Sequence, residues 1–234
     1  MPDFLSERQP PEHIYRVGRA PDPWAWPDWR YIGGDGTFGN RWDDPEGTYR
    51  VLYSSNTHLA CYLECLARFR PDPRVVAGLA AIQDDQPNLP ATAAAGVLPA
   101  SWARTRQMGR AQITVGVFAD VASAESLGLL NQALPFDVIF FGLDELDAAA
   151  IRAKAPRALT QRISRYVFRA NRAGAGLFAG VYYRSRLGDN LDNFALFEGL
   201  DRWELQDQVS EPIRVNGPEF QEALHVLGVR LDRR

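Results

Sequence analysis

Hydrophobic and polar positions change rhythm several times along this chain, and each change predicts an element. A short alternation over residues 13–17 predicts a strand. Residues 20–47 then lose all periodicity. Prolines and glycines (Pro21, Pro23, Pro27, Gly33, Gly34, Gly36, Gly39, Pro45, Gly47) interleave there with Trp24, Trp26, Trp29 and Trp42. That mixture predicts an irregular but ordered loop, because four indoles need something to pack on. Residues 50–54 read as a strand. Ala60, Leu63, Glu64 and Ala67 then recur at helical spacing behind Thr57, a capping residue, and Pro71 and Pro73 end that helix.

Residues 74–82 predict a second strand. Residues 83–110, with Pro87, Pro90 and Pro99, carry little periodicity and predict an insertion or flexible region. Residues 113–118 predict a strand, with a helix start as the alternative. A helix follows over 122–134, a strand over 136–141, and helices over 143–155 and 159–172, parted by Pro156. Strands over 176–183 and 194–197 flank a turn at Gly188, Asp189 and Asn190. The end reads as a strand over 212–215 and a helix over 218–227 capped by Asn216. Strands and helices mixed without a regular βαβ cadence predict the α+β class. At 234 residues one domain is the simplest count, covering 13–234, with the polar, proline-rich residues 1–12 as a loose arm.

Composition narrows the function classes. The chain is 46% hydrophobic and 24% charged, as a globular protein is, and a net charge of -3 argues against nonspecific binding to nucleic acid or anionic lipid. The N-terminus lacks the basic start and apolar core of a signal peptide, and no run approaches the roughly 18 apolar residues of a membrane span. A soluble, cytoplasmic protein is expected. Cys61 and Cys65 fall on successive turns of one helix face and read as small apolar fillers, not as a disulfide framework. With three histidines (His13, His58, His225) in no evident partnership, neither a metal site nor a Ser-His-Asp arrangement is expected. The aromatic content leaves a homodimer open.

Candidate chemistry concentrates between Thr37 and Glu64. Gly39-Asn40-Arg41-Trp42 places a guanidinium after a glycine turn, which suits bidentate binding of a pyrophosphate; ion pairing with Asp43, Asp44 or Glu46 is the alternative. Tyr53, in an apolar strand, offers a ring to stack on and a hydroxyl for a ribose, or is a core tyrosine. Glu64 interrupts a mostly apolar helix. A carboxylate there stabilises a developing ribosyl cation, or else faces solvent and pairs with Arg68. Ser185, between Arg184 and Arg186, bonds a phosphate or ribose, or is a turn serine. Arg16 is a second phosphate cation or a strand-edge arginine. No dinucleotide fingerprint, Walker sequence or His-Glu-x-x-His occurs.

The Gly-Asn-Arg-Trp turn, the Leu52-Tyr53-Ser54 strand, the Ala60-Cys61-Tyr62-Leu63-Glu64 helix and the Ser185 segment before Asn190 and Phe197 resemble, in their order, the RES family. The resemblance implies an ADP-ribosyltransferase-like mixed sheet around an NAD cleft, and an enzyme that consumes NAD by phosphorolysis or hydrolysis without a metal. It also implies the toxin of a toxin–antitoxin pair. Arg41, Tyr53, Glu64 and Ser185 would form the active site, with Arg16, Asn40, Trp42 and Asn190 assisting NAD binding. Transfer of ADP-ribose to a protein, or a non-catalytic binding module, are the alternatives. The partner it implies is an antitoxin with a helix-turn-helix DNA-binding domain.

Overall fold

In the computed structural model, which describes residues 5–72, 96–154, 156–172, 175–199 and 202–232, alternate residues of three neighbouring strands fill two different cores. The strands are β1 (Glu7–Arg8), β2 (Ile14–Arg19), β3 (Val51–Ser55), β4 (Val97–Leu98), β5 (Arg106–Val115), β6 (Phe118–Asp120), β7 (Asn171–Arg172), β8 (Ala175–Gly176), β9 (Gly180–Arg184), β10 (Asp192–Phe197), β11 (Glu204–Pro212) and β12 (Arg230–Leu231). The helices are α1 (His58–Leu66), α2 (Ala100–Arg104), α3 (Ala124–Ala133), α4 (Pro135–Phe140), α5 (Ala148–Arg152), α6 (Arg157–Arg169) and α7 (Pro218–Leu227). Val51, Val181, Tyr183, Ala195 and Phe197 point into a core shared with α3 to α6. Leu52, Tyr182, Phe194 and Leu196 point to the opposite face, onto Ile14, Trp24 and Phe118. Side chains of a strand alternate between faces, so β3, β9 and β10 are buried on both.

Eight strands form one mixed sheet in the order β1-β6-β9-β10-β3-β2-β5-β11. Its pairings are antiparallel except β6 with β9. The sheet and its surrounding helices are those of an α+β protein. The weak seam lies between β3 and β2, which share the single register pair Tyr15 with Ser55. Arg16 fills that seam, with Nη1 donating to the Tyr53 carbonyl at 2.7 Å and Nε to the Pro23 carbonyl at 2.7 Å. A third core packs α1 against α7, with Cys61, Leu63 and Leu66 meeting Trp102, Phe220 and Leu224.

Several sequence-based expectations need correction. Residues 7–8 are not part of a loose arm but pair with Phe118 and Ala119, and Leu5 is buried. Residues 97–110 are not an insertion: they supply β4, α2 and the start of β5, an interior strand of the sheet. The strand expected over 74–82 lies outside the described residues, as does the middle of the proposed insertion. Residues 135–140 form a helix, not a strand. Pro135 occupies its first turn, a position that proline favours, and six residues give too short a window for periodicity to decide. The strand before α7 is Glu204–Pro212, not 212–215, and it is almost wholly exposed, so no apolar alternation marked it. Gly217, not Asn216, sits at the N-terminus of α7.

Candidate functional site

Thr57 starts α1 by accepting from the Ala60 amide at 3.1 Å, which is the cap expected of a threonine in extended backbone. The helix buries Ala60, Cys61, Leu63 and Leu66 and turns Glu64 outward. Glu64 meets the β9–β10 turn. Its Oε1 accepts a short hydrogen bond from the Ser185 hydroxyl and another from Asn193 Nδ2 at 3.4 Å. Asn193 is in turn fixed by the Ser55 hydroxyl, which donates to its Oδ1 at 2.6 Å. The other oxygen, Oε2, has no partner among the described residues.

Arg41 faces this carboxylate from the irregular loop. Four side chains on one face of α6 clamp the loop backbone. Arg157 donates to the Gly39 carbonyl, Gln161 to Asn40 at 2.9 Å, Thr160 to Arg41 at 2.6 Å and Ser164 to Trp42 at 2.6 Å. From the sheet, the Tyr53 hydroxyl accepts from the Trp42 amide at 2.9 Å and donates to Asp43 at 2.8 Å, while Asp43 also accepts from the Asn40 amide at 2.6 Å. Burial raises the pKa of Asp43, with these hydrogen bonds opposing it, and lifts that of Tyr53 well above its ordinary value. The loop is thus fixed from two sides.

The guanidinium it carries is not fixed by any hydrogen bond. Nε and Nη2 of Arg41 are buried and have no hydrogen-bond partner among the described residues. Its contacts are the faces of Trp42 and Tyr183, with the guanidinium carbon 5.7 and 5.8 Å from the ring centroids. Burial lowers its pKa; the nearby Tyr183 and Glu64 act in the opposite direction, and Arg186 adds to the lowering. Tyr183, buried between Arg41 and Glu64, has a hydroxyl that makes no hydrogen bond among the described residues, and burial raises its pKa well above the ordinary range. Two buried donors of Arg41 thus lack the partners that buried polar groups normally have, within electrostatic reach of the exposed Glu64 carboxylate and of Tyr183.

The structure therefore brings Arg41, Glu64 and Ser185 together, and places Tyr53 directly behind them. Tyr53 departs from its expected role, since its hydroxyl is spent on the loop and is not free for a ribose. Ser185 is buried, donates to Glu64 and accepts from the Leu187 amide at 3.0 Å, so it positions the carboxylate. Trp42 is fully buried and packs on Tyr183, which removes it from any ligand-binding role. Arg16 is the strand-seam arginine, its donors held by backbone carbonyls. Asn40 lies exposed beside Arg41, while Asn190 is exposed in the turn and its side chain makes no hydrogen bond among the described residues.

Tyr183, Asn193 and Arg186 escape the sequence reading. An asparagine inside an apolar strand was a usable signal for Asn193. For Tyr183 the sequence offers Tyr182 equally, and only the register decides which one faces Arg41. Among the described residues no group of histidine, cysteine and acidic side chains has a metal-binding arrangement, and no helix is long and apolar enough to cross a membrane. Cys61 and Cys65 are free thiols whose pKa values burial pushes up to about 12 and about 11.

A larger cavity, of about 1070 Å³, lies elsewhere, between α2 and α7; none of the groups that converge at Arg41 and Glu64 lines it.

No family model matches the chain, and neither does any curated protein. The likeness to the RES family therefore rests on the motifs themselves. Among solved structures the chain is similar to one in the crystal structure of the M. tuberculosis MbcT–MbcA toxin–antitoxin complex, at 13% identity and a TM-score of 0.47, over 94% of this chain and 91% of that one. The functional reading is accordingly built on the geometry of the site.

Proposed function

We propose that this chain is an NAD-consuming enzyme that breaks the nicotinamide–ribose bond. One observation carries the reading: Nε and Nη2 of Arg41 are buried without a hydrogen-bond partner among the described residues, and Glu64, within electrostatic reach of that guanidinium, is held by one oxygen and open at the other. A dinucleotide supplies what each lacks. Its diphosphate offers Arg41 paired oxygens for charge-assisted hydrogen bonds. Its ribose brings Glu64 a hydroxyl in the ground state and a developing positive charge in the transition state, where a fixed carboxylate is most stabilising.

As the glycosidic bond breaks, its electron pair leaves on the nicotinamide nitrogen and neutralises the pyridinium. Positive charge then spreads over C1′ and the ring oxygen of the ribose, facing Oε2 of Glu64. An acceptor oxygen, from phosphate or water, closes on C1′, and an attacking water gives its proton to bulk solvent. Ser185 and Asn193 keep the carboxylate from rotating away, so its orientation is set before substrate arrives. No histidine takes part, and the bound Ser185 hydroxyl is not a nucleophile.

Such turnover drains a cell of NAD, so the reading includes a toxin held in check by a cognate antitoxin that covers the cleft. The test is chromatographic product analysis after incubation with NAD, with and without phosphate, for wild type and Glu64→Gln. Free nicotinamide from wild type alone is expected. Intact NAD in every sample sinks the reading, and label on protein in place of free ADP-ribose or its phosphate moves it to protein ADP-ribosylation.

A further inference from the structure

Next to the turn that holds Glu64, the β9–β10 connection borders an open cleft of about 570 Å³, which it shares with α5. Ser185, Arg186, Leu187 and Asp189 line one side and Arg152 the other, while Ala148, Ala149 and Ala153 leave it roomy. Ser185 links this cleft to the carboxylate, because its hydroxyl holds Glu64.

The charges here are not balanced. Arg152 gives Nη1 to Asp189 at 2.6 Å, but its Nε is buried with no hydrogen-bond partner. Arg186 is exposed and makes no ion pair or hydrogen bond among the described residues. It stands close enough to Arg41 to disfavour that residue's charge. Arg152 and Arg186 thus line one cleft with Asp189 as its single lining carboxylate, and with donors to spare. A cluster of guanidiniums without matching carboxylates is relieved by an oxyanion with several acceptor oxygens, and planar arginine forks suit the tetrahedral faces of phosphate.

We propose that the cleft between α5 and the 185–189 turn binds a phosphate group through Arg152 and Arg186, next to the carboxylate that supports the ribosyl cation. The proposal rests on the NAD reading for its catalytic meaning, but the binding itself requires no turnover. Two sources offer the same chemistry: orthophosphate serving as acceptor, and the diphosphate of the dinucleotide.

The test is calorimetric titration of the full chain, without NAD, with orthophosphate and separately with ADP-ribose. Wild type, Arg186→Gln, Arg152→Gln and Arg214→Gln are compared. Arg214→Gln makes the same charge change at an exposed residue outside the cleft. Wild type and Arg214→Gln are expected to bind alike, and each cleft variant to weaken binding at least tenfold, with Arg186→Lys recovering part of it. A loss confined to orthophosphate assigns the cleft to the acceptor; a loss for ADP-ribose as well assigns it to the diphosphate.

Affinities for both ligands unmoved by the cleft substitutions, or absent in wild type, overturn the proposal. Arg186 has no partner to lose, so its variant carries the test even where Arg152→Gln misfolds. Nicotinamide release by wild type is scored separately. Its absence sinks the NAD reading and leaves phosphate binding to stand or fall alone.

Discussion

Arg16 and Arg41 lie on either side of Tyr53, and burial lowers the pKa of both guanidiniums. Arg16 spends its donors on two carbonyls, of Tyr53 and Pro23, and thereby closes the seam between β2 and β3. Arg41 spends none among the described residues, although the loop that carries it is held by four α6 side chains and by Asp43 and Tyr53. The fold thus invests heavily in the position of Arg41 and leaves its charge unanswered. A buried cation with satisfied donors is structure; one with a fixed backbone and idle donors is what the proposed reading uses to hold an anion.

The comparison breaks most visibly at the carboxylate opposite Arg41. Glu64→Gln keeps the helix, because the side chain faces outward, and is expected to lower kcat by about 10³-fold while moving Tm by less than about 2 °C. Stopped assays for nicotinamide together with a melting scan check both halves. Arg16→Met is expected to do the reverse. It strands two carbonyls at the sheet seam and lowers stability by about 2 kcal/mol, read as a shift of the urea midpoint at unchanged slope.

Tyr53→Phe sharpens the comparison, since Tyr53 serves both arginines: its carbonyl accepts from Arg16 and its hydroxyl fixes the Arg41 loop. Only the hydroxyl is lost. A cost of about 1 kcal/mol and a drop in kcat/KM of about tenfold are expected, with the seam intact.

The smallest effect is a control far from Arg41. Arg50 hydrogen-bonds Glu198 and depresses its pKa. A depressed carboxylate adds stability above its unfolded pKa of about 4.3, and that stability is lost as pH falls through the lower folded value. Glu198→Gln should therefore flatten the acid limb of the stability curve below about pH 4 and leave NAD turnover at neutral pH unchanged.

How much of this was legible in the sequence varies with the kind of contact. The helix of Glu64 was, because a threonine cap and apolar spacing are local signals. The strands over β9 and β10 were, because an apolar run broken by Gly188, Asp189 and Asn190 has few other readings. The grouping of Arg41, Glu64 and Ser185 came from motif order, and the coordinates place them together. Trp42 was misassigned because nearness in sequence to Arg41 says nothing of where a side chain points. The clamp from α6 was invisible: Gln161 and Arg165 could equally have been solvated, and only tertiary packing shows that Gln161 holds Asn40 while Arg165 pairs with Asp44 and Glu46. Strand β11 was missed since an exposed edge leaves no hydrophobic alternation to read.

The most direct test of the central claim, that Arg41 is held empty for an anionic ligand, is the rise in Tm that ADP-ribose produces in wild type and in Arg41→Gln. Ligand that binds only the folded state must raise Tm in proportion to its affinity. The account predicts equal ligand-free melting temperatures, a clear rise in wild type and none in the variant. An Arg41→Gln protein that melts well below wild type, or that keeps the full rise, would show that Arg41 is a structural residue like Arg16.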